Sequence, residues 1–138
     1  MGFLLLIVLA LLGYEAYEQG WLSILTSGIT TGVLSASQIG GYASNAGFSG
    51  SDLATAVAIA IAESGGNPSA VNPEGSYGLW QIDIVENPQY ANDDLTDPSV
   101  NAQDAYSIYS EGGFTRWSTY NNGAYLNYLA QAQAGVGQ

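Results

Sequence analysis

The chain has 138 residues, enough for one domain with a real core, and sets one basic residue, Arg116, against twelve Asp and Glu for a net charge of −11. It contains neither cysteine nor histidine, which excludes disulfides, thiolate and imidazole metal sites, cysteine nucleophiles and the Ser-His-Asp arrangement. A single cation also argues against nucleic acid as a partner, because phosphate backbones are held by several Lys and Arg contacts.

Charged residues make up only 9% of the chain and hydrophobic ones 47%, so this is not an acidic disordered tail. Ten Tyr and three Trp suit a neutral, hydroxyl-rich ligand such as a glycan, whose sugar faces pack on flat rings.

Residues 3–12 form an unbroken apolar run. It is shorter than the ~20 residues needed to cross a bilayer core. It lacks the basic start of a secretory signal, so cleavage is not expected. Residues 21–34 are a second, weaker apolar stretch diluted by Ser, Thr and Gly. Residues 1–34 are therefore expected to serve as a membrane anchor, with Tyr14, Tyr17 and Trp21 near the interface, or as a hydrophobic helix buried among copies of itself. Residues 35–48, rich in Ser, Gly, Ala and Asn, read as a linker, leaving 49–138 as the globular domain.

Ser49-Gly50-Ser51-Asp52 has capping-box spacing. It precedes a stripe of Leu53, Ala56, Val57, Ala60 and Ile61 at helical intervals. Gly65-Gly66 supplies the stop. Residues 67–95 hold three of the four Pro, together with four Asn and two Gly, and predict loops or short strands. Asp97-Pro98 predicts a capped helix start, with Val100, Ala105, Ile108 and Tyr109 inward and Gly112-Gly113 at its end. A last helix is expected over about 123–134. Asn92-Asp93-Asp94 with Asp97 lacks the alternating oxygens and glycine of a calcium loop and reads as helix-capping, so no metal or cofactor is expected.

Glu63 lies in the last turn of the greasy helix. Burial there would leave its charge poorly solvated, and the negative end of the helix dipole opposes it too. Both effects favour the protonated form, which a general acid for glycoside cleavage needs near neutral pH.

Three blocks follow in order: Glu63-Ser64, Gly78-Leu79-Trp80-Gln81 and Tyr120-Asn121-Asn122-Gly123. Together they resemble the lysozyme-like superfamily, in particular soluble-lytic-transglycosylase-type domains and their phage-tail relatives, with Trp80 in place of the commonest Met. The resemblance covers roughly residues 45–130 and implies a mainly α, α+β lysozyme-like fold. It implies Glu63 as the catalytic acid and then base, with Ser64, Tyr77, Gly78, Gln81, Tyr120 and Asn121 binding substrate. Ser64 would orient Glu63 or the substrate, Gln81 would bond the glycan, Tyr120 would contact Glu63, and Gly78 would let the backbone approach the sugar. In chicken-type lysozymes the second acid precedes the Tyr-Gly of this region, and here that position is Ser76. Asp83, Glu74 and Glu86 are the nearest other acids.

With one carboxylate, the resemblance implies peptidoglycan lytic transglycosylation. The partner would be glycan strands, with the membrane reached through the N-terminal segment and, in an assembly, copies of the chain or other virion proteins beside it. A virion component acting on the host wall is the expected location, with the bacterial inner membrane facing the periplasm as the alternative. A goose-type lysozyme, a catalytically silent structural protein and a glycan-binding module are the competing functions.

Overall fold

The computed structural model describes residues 32–138. The apolar run at 3–12 and, up to residue 31, the anchor or assembly helix expected over residues 1–34 lie outside the described residues. Among the described residues no helix is long and apolar enough to cross a membrane.

The segment expected to be a linker is a helix, α1 (Ala36–Ala46). Its start carries a complete capping box: Ser35 Oγ accepts from the Gln38 amide at 3.1 Å, and Gln38 Oε1 accepts from the Ser35 amide at 2.9 Å. Ile39 and Ala43 are fully buried. Its small residues Ala36, Gly40 and Ala43 are buried and serve packing: a Cβ on Gly40 would stand 2.6 Å from Val136 Cγ1. The domain thus starts before residue 35, and the Leu34 amide donates to Gly66 O at 2.9 Å.

Helix α2 (Gly50–Ser64) is the centre of the fold. Ala54 and every residue from Ala56 to Ile61 are buried, so the expected one-sided stripe is in fact apolar all round. It is packed on several sides by α1, by the C-terminal helices and by the turn before them. Burying Val57, Ile59 and Ile61 contributes on the order of 1.5–3 kcal/mol each. Ser49 makes no side-chain cap bond, so the expected capping box does not form there. Asp52 instead accepts from the Tyr109 hydroxyl. Gly65 ends the helix in the left-handed conformation, φ 65°, its amide bonded to Ile61 O.

Two short antiparallel strands follow, β1 (Ser76–Tyr77) and β2 (Ile82–Asp83), with Ser76 opposite Asp83 and Tyr77 opposite Ile82. A short 3₁₀ turn (Pro88–Tyr90) leads on to α3 (Pro98–Gly112), capped by the Asp97 carboxylate at the Ser99 and Val100 amides. Among the expected inward residues, Ala105 and Ile108 are buried. The side chain that ties the hairpin to α3 is Asn101. It is fully buried, accepts from the Trp80 amide at 2.9 Å, and donates to Tyr77 O and Leu95 O at 2.9 Å each.

The 3₁₀ turn Phe114–Arg116 and the short α4 (Ser118–Asn121) return the chain towards the end of α2. The expected last helix is two pieces, a 3₁₀ turn (Ala124–Tyr128) and α5 (Leu129–Gly135). Gly123 at φ 81° and the Asn122 side chain, which accepts from the Ala124 amide, tighten the start and set Tyr125 against Tyr120.

Aromatic rings mostly join to each other. Phe48, Tyr106, Tyr109, Phe114, Tyr120 and Tyr125 form one continuous series of ring contacts. Trp80 is in the core, its Nε1 donating to Ala56 O, and its own carbonyl accepts from Trp117 Nε1.

Candidate active site

A cleft of about 300 Å³ opens at the C-terminal end of α2. Glu63 lines it together with Ser76, Gln81 and Asp83 of the hairpin, Asn72 and Asn87 of the flanking loops, and Arg116, Trp117 and Ser118 from the segment before and into α4. The end of α2, residues 72–87 and residues 116–118 therefore converge on one cleft.

Glu63 is half-buried. Burial pushes its pKa above the ordinary Glu value, and hydrogen bonds from Thr119 pull the other way without cancelling it. The Thr119 hydroxyl donates to Glu63 Oε2 at 2.8 Å. A carboxyl fixed on one oxygen by a hydroxyl and biased towards its protonated form is equipped to hand a proton to a leaving oxygen. Replacing Thr119 by valine should remove a bond that favours the charged form. The expected result is that the alkaline limb of the pH profile of kcat/KM moves upward, because Glu63 then keeps its proton to higher pH. An unmoved limb would show that Thr119 does not tune this carboxyl.

The glutamine expected from the second block reaches the cleft. Gln81 sits at φ 47°, an unusual left-handed conformation for a non-glycine residue. Its Nε2 donates to Ala70 O at 3.1 Å and Gly78 O at 3.0 Å. Both amide hydrogens are thus used, and Oε1 is what the side chain can offer a ligand.

The other expected substrate residues lie elsewhere. The Ser64 hydroxyl donates to Ala60 O at 2.8 Å and accepts from the Gly66 amide at 3.2 Å, so it closes the end of α2. Tyr77 lines a separate hollow with Leu95 and Thr96, on the opposite side of the pleat from Ser76. Gly78 is buried against protein: a Cβ there would meet Asn101 Nδ2 and Leu95 O, each at 2.2 Å. Tyr120 is not among the hydrogen-bond partners found for Glu63. It packs between Phe114 and Tyr125, and its neighbour Thr119 makes the contact instead. Asn121 is exposed and donates to Thr115 O.

Sequence reasoning gave Thr119 and Arg116 no role in the site. Thr119 precedes the Tyr-Asn-x-Gly block by one residue, and nothing in its local pattern marks it. Arg116 was visible as the lone cation. Asp83 lines the cleft directly across the hairpin from Ser76. Its Oδ1 accepts from the Val85 and Glu86 amides at 2.8 and 3.2 Å.

A family model described as a lysozyme-like domain matches residues 41–119, more than half of the chain, and spans Glu63, the hairpin, Arg116 and Thr119. The chain belongs to the lysozyme-like domain family. No curated protein and no solved structure matches it. The lysozyme-like match begins inside α1, in keeping with that helix being part of the domain, and stops just short of the Tyr120 block. A lysozyme-like domain implies an enzyme acting on peptidoglycan.

Proposed function

We propose that the protein is a peptidoglycan lytic transglycosylase, cleaving the β-1,4 bond from muramic acid to N-acetylglucosamine with Glu63 as its one catalytic carboxyl. The observation that carries this reading is Glu63 itself: half-buried at the mouth of α2, held by Thr119 and biased towards its acid form. Glu63 gives its proton to the glycosidic oxygen as the bond to the anomeric carbon breaks. The neighbouring N-acetyl oxygen or the C6 hydroxyl attacks that carbon. When O6 closes the ring, its proton passes to the Glu63 carboxylate, which restores the acid. No water is consumed, and the product carries a 1,6-anhydro end. Gln81 Oε1 is suited to accept from an N-acetyl N–H or a sugar hydroxyl.

Ser76, standing where a two-carboxylate lysozyme has its second acid, supports the transglycosylase over the hydrolase. The hydrolytic reading draws on Asp83, whose carboxylate faces the same cleft from the opposite strand and would activate a water. Mass spectrometry of muropeptides released from purified peptidoglycan separates the two. Anhydro ends are expected. Reducing ends, in a yield that falls with Asp83→Asn, would overturn the transglycosylase in favour of a lysozyme.

The apolar N-terminal run fits a protein held close to the wall it opens, in a virion or at a membrane. The net charge of −11 fits the same reading, since it would hinder a freely diffusing lysin from approaching an anionic wall.

A further inference from the structure

Arg116 is the one cation in a chain of twelve carboxylates, and it lines the cleft that holds Glu63. Its position is built. Nη2 donates to Asn87 Oδ1 at 3.3 Å. Asn87 is itself buried, and its Nδ2 is bound to Asp83 O at 2.9 Å. The arginine stem crosses Gly112, where a Cβ would stand 2.8 Å from Arg116 Cδ.

In so acidic a protein an arginine would be expected against a carboxylate, yet among the described residues its side-chain hydrogen-bond partner is a neutral amide. Asp83, which shares the cleft, has turned Oδ1 to backbone amides. A guanidinium carries five N–H donors, and Asn87 engages one nitrogen of the fork. Among the described residues no other side-chain bond engages the guanidinium, which is exposed at the cleft, and its planar fork of donors is suited to a carboxylate.

We propose that Arg116 is a specificity-determining residue that recognises a carboxylate carried by the glycan strand. This rests on the peptidoglycan reading and narrows it to an acid-bearing substrate. Muramic acid carries a lactyl ether on alternate sugars. Its carboxyl is free in denuded strands; in intact strands it is linked to a peptide that brings carboxylates of its own. Either source offers the same planar anion. Asp83 and Glu86 also line the cleft and would repel such a group, so a single cation decides whether it is accepted.

The test uses the full chain carrying Glu63→Gln, so that ligands are bound without being cleaved. Calorimetry would compare a denuded tetrasaccharide with free lactyl carboxyls, the same tetrasaccharide bearing stem peptides, and neutral chitotetraose. At least one acidic ligand is expected to bind ~10-fold tighter than the neutral one, with the preference shrinking as salt rises. Adding Arg116→Gln should erase the preference and leave chitotetraose binding unchanged, while Arg116→Lys should recover part of it. The ligand that shows the preference identifies the source of the carboxylate. Equal binding of acidic and neutral glycans, or an equal loss on all three with Arg116→Gln, would overturn the proposal alone. Binding of none of the three would instead sink the peptidoglycan reading beneath it.

Discussion

Glu63→Gln should lower peptidoglycan cleavage by roughly 10²- to 10⁴-fold, the usual contribution of a positioned general acid, while folding and glycan binding persist. The side chain keeps its shape, and its amide can still meet the Thr119 hydroxyl. What it loses is the transferable proton. The same change should not destabilise the protein at neutral pH. Burial raises the folded pKa of Glu63 above its unfolded value, so the native state holds its proton more tightly. That carboxyl's contribution to stability is present in full at low pH and is lost as pH rises through the folded pKa. A neutral glutamine carries no such charge to bury. Cleavage of purified peptidoglycan and thermal unfolding at pH 7 check both halves. Undiminished cleavage would remove Glu63 from the mechanism.

Asn101→Leu should be the most damaging single substitution away from the cleft, costing on the order of 3–5 kcal/mol. Leucine fills a similar volume but leaves the Trp80 amide and the Tyr77 and Leu95 carbonyls without their partner. Those groups are on or beside the hairpin that carries Ser76, Gln81 and Asp83 into the cleft. Stability in urea should fall with little change in the slope of the transition, and the melting temperature by roughly 15 °C or more. Cleavage should fall mainly through loss of folded protein. A loss under ~1 kcal/mol would mean that water replaces the amide at little cost.

Some of this architecture can be read from local chemistry. Gly65-Gly66 after an apolar run predicts the end of α2, because glycine alone takes the left-handed cap cheaply. Asp97-Pro98 predicts the start of α3, because the carboxylate satisfies free amides and proline lacks the one that would be left over. The Ser35/Gln38 capping box was also legible, but the glycines and serines around it read as a linker. One of them, Gly40, proved to be contact surface, since it leaves room for Val136. That fact belongs to a neighbour almost a hundred positions away.

The candidate site divides in the same way. Glu63 can be found because its two neighbourhoods, a greasy helix before and glycines after, are contiguous in the chain. Thr119 cannot, because its hydroxyl meets Glu63 only after α4 is folded back onto the end of α2. The motif pointed to Tyr120, but that ring is taken up by Phe114 and Tyr125. Gly78 was expected to clear a path for sugar, and it clears one for Asn101.

By itself, the sequence determined the helical class, the lone acid at the end of an apolar helix and the absence of thiol and imidazole chemistry. Each of these follows from residue type and spacing along a few turns. Only the tertiary structure decided which side chains share a cleft with that acid. Hydrogen bonds and burial act through space: Thr119 reaches Glu63, and Arg116 and Asp83 come to line its cleft, through folded segments that no local pattern connects.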